Sequence, residues 1–98
     1  MFVVLYSWRI DPSLEEQFTE SWSAVTRHYL EHHGSLGSRL HRGGDGRYYA
    51  YAKWPDESSR DAAANDGIPA DLRSQMNAAI LEAFPEITLE VVADYLKI

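Results

Sequence analysis

Phe2 to Ile10 is the stretch that most limits what this chain can become. Phe2, Val4, Tyr6, Trp8 and Ile10 alternate with Val3, Leu5, Ser7 and Arg9. Period-two alternation predicts a strand. Here both of its faces are largely apolar. A strand with one greasy face needs one covering layer, whereas a strand greasy on both needs two. The fold must therefore lay helices on one side of this strand and bring something else to the other.

The next segment supplies the helices. Asp11-Pro12 ends the strand, and Ser13-Leu14-Glu15-Glu16 reads as a capping box. Leu14, Phe18, Trp22, Val25 and Tyr29 then step by three or four residues along one helical face. Arg27, His28, His32 and His33 gather near the helix end, where its dipole favours positive charge, and Gly34 is a natural terminator. A hairpin follows, with strands expected at about Ser35–Arg42 and Tyr48–Trp54 around the turn Gly43-Gly44-Asp45-Gly46. If Arg42 pairs with Tyr48, Leu36, Ser38, Leu40, Ala50, Ala52 and Trp54 share one face. Arg39, His41, Tyr49, Tyr51 and Lys53 then share the other. A second helical region comes next, with a short piece at Arg60–Ala64 and a longer one marked by Leu72, Met76, Ala79, Ile80 and Ala83, ending near Phe84-Pro85. A last strand is expected over Ile87–Leu96, with a bulge at Val91-Val92.

Strand, helix, strand, strand, helix, strand is the ferredoxin-like α+β order. Right-handed crossovers place both helices on one face of a four-stranded antiparallel sheet. The other face is left bare, although the first and last strands are apolar there. A bare apolar sheet face marks an interaction surface. A two-fold pair of chains, sheet against sheet, is the simplest closed way to cover it. A homodimer through the open sheet face is the expected assembly.

Composition narrows the function. The 98 residues suit one domain, 1–98. The net charge of −6 comes with no basic block, which argues against a nucleic-acid partner. No apolar run approaches membrane-span length, so no membrane partner is expected. The first residues lack the basic flank of a signal peptide, and there is no cysteine. The cytoplasm is the expected location.

Several segments also carry a family resemblance. They are Tyr6-Ser7-Trp8-Arg9-Ile10, then Phe18 and Trp22 in the first helix, Gly34 to Arg42, and Tyr51-Ala52-Lys53-Trp54-Pro55. With these elements placed, the chain resembles the antibiotic biosynthesis monooxygenase family of dimeric α+β barrels. That resemblance implies a pocket between helices and sheet within each subunit. It also implies oxygenases that oxidise anthrone-type aromatic polyketides with dioxygen, needing no metal or flavin, so no cofactor is expected. Trp54 matches a tryptophan that recurs at the end of the third strand in the family. An asparagine four residues earlier in the anthrone oxygenases is replaced here by Ala50. The haem-degrading members use an asparagine in the first strand, and a tryptophan and a histidine in the second helix. This chain has none of these, so haem degradation is not expected.

The candidate site residues follow. Trp54, Trp22, Tyr6 and Trp8 would hold a small hydrophobic or aromatic molecule, since indole and phenol offer a stacking face and a polar tip. They also serve as ordinary core aromatics. His41 is the histidine on a strand and the candidate base, with Tyr51 as its hydrogen-bond partner. Alternatively, their polar face lies in solvent or at the dimer interface. His28-Tyr29-Leu30-Glu31-His32 matches H-x-x-E-H, a zinc pattern, but dipole compensation accounts for these histidines and no metal is expected. The glycine-rich turn lacks phosphate-loop spacing. Two functions stand: a cofactor-independent monooxygenase of a small aromatic substrate, or a dimeric module that binds a small ligand without turnover. An isomerase-type enzyme on the same fold is a further alternative.

Overall fold

The computed structural model describes residues 1–97. The first strand, β1, spans Phe2–Ile10. A short 3₁₀ turn at Pro12–Leu14 leads into helix α1, Glu15–His32. Strands β2 (Gly37–Arg42) and β3 (Tyr48–Trp54) form the hairpin. Helices α2 (Glu57–Asp66) and α3 (Ala70–Ala79) follow, then two four-residue strands, β4 (Ile80–Ala83) and β5 (Ile87–Glu90). The sheet is antiparallel in the order β2-β3-β1-β4, and β5 also pairs with β1. β4 takes the Trp8–Ile10 end of β1 and β5 takes the Phe2–Leu5 end. Five strands thus fill four positions, and the α+β ferredoxin-like reading holds.

The hairpin register matches the expectation, with Arg42 opposite Tyr48 and Ala50 opposite Leu40. β3 shows the resulting alternation: Tyr48, Ala50, Ala52 and Trp54 are buried, while Tyr49, Tyr51 and Lys53 are not. Leu36 departs from it. Gly37, the first residue of β2, at φ +107° turns the chain there, so Leu36 lies outside the strand and lines a groove on the open face.

Other expectations need correction. Asp11 rather than Ser13 makes the cap: its Oδ1 accepts the Ser13 backbone N–H at 2.9 Å. The first helical piece extends beyond Arg60–Ala64 because Asp56 caps it, accepting the Ser59 N–H at 2.8 Å. α3 stops at Ala79, and Ile80–Ala83 is strand, drawn out by pairing with β1. The last strand ends at Glu90, opposite Phe2, because β1 offers nothing further to pair with. The register shift falls at Arg9/Ile10 rather than at Val91-Val92.

All three helices lie on the face that carries Val4, Trp8 and Trp54. Phe18 of α1 is fully buried there, edge-on to Trp8 (5.3 Å between ring centroids) and to Tyr48 (5.6 Å). Ala63 of α2 packs with Val4 and Trp54, and Ala79 of α3 joins the Trp8–Phe18 cluster. A polar clamp ties α1 to the hairpin. The Tyr48 hydroxyl donates to Glu15 Oε1 at 2.7 Å and accepts from Arg42 Nη2 at 2.9 Å. No described helix is long and apolar enough to cross a membrane.

Candidate functional site

A cavity of about 240 Å³ opens between the helices and the sheet. Its cause is local. Along β3 the core-facing side chains run Tyr48, Ala50, Ala52, Trp54, large at the ends and small in the middle. Two methyl groups do not fill the space under α1, and rings stand around the gap. Tyr6 and Trp8 of β1 line it from the sheet, stacked nearly parallel (9°) with centroids 5.9 Å apart. Trp22, Val25 and Tyr29 of α1 form one wall. Met76, Asn77 and Arg73 of α3, with Ile68 from the α2–α3 link, form the other. Trp54 closes one end, edge-on to Tyr29 at 5.7 Å.

Thr26, Ser35 and Ser38 add small hydroxyls to the lining, and two phenols stand beside cations. Burial pushes the Tyr6 phenol above its ordinary value. A hydrogen bond from Arg60 works against this, and nearby Glu86 adds to it. Arg60 is itself largely buried and anchored, Nη1 donating to Glu86 Oε1 at 2.8 Å and Nε to Asp61 Oδ1 at 3.0 Å. Burial likewise raises the Tyr29 phenol, while the Arg73 cation pulls it down. Both hydroxyls stay protonated at neutral pH and are available as donors. The buried indole Nε1–H of Trp54 has no hydrogen-bond acceptor among the described residues. Such a group costs about 1–3 kcal/mol when it is left unpaired.

The residues singled out from sequence divide between the two sides of the sheet. Tyr6, Trp8, Trp22 and Trp54 come together around the cavity. His41 and Tyr51 face the other way and, with Arg39 and Lys53, line a shallow groove on the open face. Strand alternation separates them from the cavity by the thickness of the sheet, so they do not reach it. His41 Nδ1 is 3.4 Å from the Tyr49 carbonyl oxygen. On α3, Arg73 and Asn77 line the cavity, whereas Gln75 does not. Their position one turn apart on α3, beside Met76, was the available signal.

The remaining motifs are structural. His28 lies about 5 Å, ring to ring, from both His32 and His33. His33 Nε2 is 3.4 Å from Asp66 Oδ2 without the alignment of a hydrogen bond. No group of three or more His, Asp or Glu among the described residues is arranged to hold a metal. Gly43–Gly46 is a hairpin turn, closed by Gly43 N–H to Arg47 O at 2.7 Å.

Solved structures share this architecture at low sequence identity. SnoaB, a cofactor-independent oxygenase from Streptomyces nogalater, was solved as an asparagine-to-alanine variant. It gives a TM-score of 0.77 at 14% identity over 96% of this chain and 95% of that one. A protein from Nitrosomonas europaea assigned to the antibiotic biosynthesis monooxygenases gives 0.78 at 13% identity, over 95% and 100%. One from Bordetella bronchiseptica with the same assignment gives 0.75 at 16%, over 94% and 97%. Identities this low speak for the fold alone. No curated protein sequence matches the chain. The family model for antibiotic biosynthesis monooxygenases matches residues 1–66, from β1 through the hairpin to the end of α2. With that match over most of its length, the chain belongs to the antibiotic biosynthesis monooxygenase family.

Proposed function

We propose that this protein is a cofactor-independent monooxygenase that oxidises a small aromatic substrate, quinol- or polyketide-like, with dioxygen. The observation that carries this reading is a cavity walled by aromatic rings, one of which, Trp54, has a buried indole N–H without a partner among the described residues. A flat substrate with an oxygen at that end supplies the missing acceptor. The substrate is small, because the cavity falls below the ~300–1,000 Å³ typical of drug-sized ligands.

The chemistry asks little of the protein. An activated methylene loses a proton to give a delocalised anion. The anion passes one electron to dioxygen, and the two radicals join through a new C–O bond as a hydroperoxide. Loss of water leaves a carbonyl, so CH₂ and O₂ become C=O and H₂O. Tyr6 and Trp54 donate hydrogen bonds to the oxygen on which the anion's charge collects, the kind of preorganised stabilisation that lowers such barriers most. The cavity lining carries no histidine or carboxylate. The proton therefore leaves to solvent, which suits substrates that are already acidic. His41 and Tyr51 have no part in this scheme.

The working form in this proposal is a homodimer paired through the open sheet face. Ile87 and Leu89, 53% and 40% exposed, stand on that face beside the half-buried Leu5 and the buried Val3. Solvent-facing side chains of this kind are the natural content of an interface.

A second reading, a binding module without turnover, draws on Ala50 and on the lack of a base in the lining. Oxygen uptake separates the two. Metal-stripped protein is offered a panel of anthrones and hydroquinones, beside a Trp54→Phe variant. Uptake that requires the protein and falls at least ~10-fold in the variant supports the oxygenase. Saturable binding with no uptake moves the assignment to the module.

A further inference from the structure

Arg73 is the one charged side chain that lines the cavity. Four other arginines are engaged: Arg9 with Glu82, Arg42 with Glu15, Arg60 with Asp61 and Glu86, and Arg47 over the Phe84 ring at 3.9 Å; Arg27 and Arg39 do not line the cavity. Arg73 makes no ion pair with any described residue. Its helical neighbours three and four positions away are Pro69, Ala70, Met76 and Asn77, none of them acidic. Its guanidinium lies back over Gly67, with Nη2 3.5 Å from where a side-chain carbon at that residue would sit. Its charge is felt by the phenol of Tyr29. A chain with 15 acidic residues and a net charge of −6 thus turns one uncompensated cation toward an aromatic hole.

We propose that the cavity takes an aromatic carboxylic acid, its rings among the tryptophans and its carboxylate on the Arg73 guanidinium beside Asn77. This deepens the cavity reading above and rests on it. A carboxylate is favoured by two considerations. Guanidinium and carboxylate match as a planar pair with two parallel hydrogen bonds. A single cation with neutral donors around it balances one negative charge, whereas a phosphate calls for more. A phenol is neutral at pH 7, since its ordinary pKa is about 10, and gains much less from Arg73. The carboxylate also fixes which way round the substrate lies. Its acid end then lies at α3 and its rings among the cavity aromatics.

The test uses three ligands of one shape, naphthalene-2-carboxylate, naphthalene-2-carboxamide and 2-naphthol, titrated calorimetrically at pH 7. The native protein is expected to bind the carboxylate at least ~10-fold more tightly than either neutral compound. Arg73→Met is expected to bring all three within ~2-fold of one another with the carboxamide affinity unchanged, and Arg73→Lys to keep part of the preference. Arg73 is exposed, so these variants fold, and their melting curves verify it. Equal affinities in the native protein, or a preference that survives in Arg73→Met, overturn the carboxylate inference and leave the cavity reading standing. Failure of all three to bind overturns both.

Discussion

Two single residues show how far local chemistry reaches. Ala50 makes the cavity by being small, and it is 1% exposed. Ala50→Leu is expected to fill the space between Trp8 and Trp54, weakening aromatic ligands at least ~10-fold, while overpacking costs about 1–3 kcal/mol of stability. Titration of one ligand against both proteins, with a urea melt for each, checks both halves. Asp56 caps α2 through the backbone N–H of Ser59, helped by the hydroxyls of Ser59 and Ser58, and these hold its carboxyl below the ordinary value. A carboxyl depressed in the folded state stabilises fully above its unfolded pKa, about 3.9. That share is lost as pH falls through the lower folded value. Asp56→Ala is therefore expected to lower Tm by roughly 5 °C at pH 7, with the gap closing toward pH 2. Asp56→Asn keeps a cap that cannot titrate, so its melting curves should show the smaller pH dependence.

At the scale of elements, α1 is held by Phe18, wedged fully buried between Trp8 and Tyr48. Phe18→Ala should cost about 3–5 kcal/mol in chemical denaturation, the usual loss for a large ring removed from a core. This helix, the hairpin and its register were legible in sequence because each has a local cause: a stripe at helical spacing, a glycine turn, strict alternation. The end of α3 was not. Met76, Ala79, Ile80 and Ala83 continue a helical stripe, and only the free edge of β1 converts Ile80–Ala83 to strand, a choice made by a partner 70 or more positions away. The last strand was overrun for a similar reason, since Val91, Val92 and Leu96 are apolar but lie past the end of β1. Of the residues named from sequence, four aromatics line the cavity. His41 and Tyr51 were paired with them although alternation already put them on the other face. Arg73 is not singled out by the helix stripe, which shows which side meets the core, not that the core is hollow there.

For the whole molecule, the sheet has one face buried by helices and one that exposes Ile87 and Leu89. Sedimentation at low micromolar concentration should show a dimer, and Leu89→Lys should shift it to monomer without loss of the fold. Monomer alone in the native protein would sink the pairing. The edge of the sheet beside β1 has a separate consequence. It is filled by two strands of four residues, β4 and β5, with Phe84-Pro85-Glu86 between them. A long uninterrupted rim of unpaired amides and carbonyls is a template on which another chain can lay itself down. Here the rim is cut in half, and the proline at the cut has no N–H to offer. At this margin the chain thereby denies fibril growth a continuous seed.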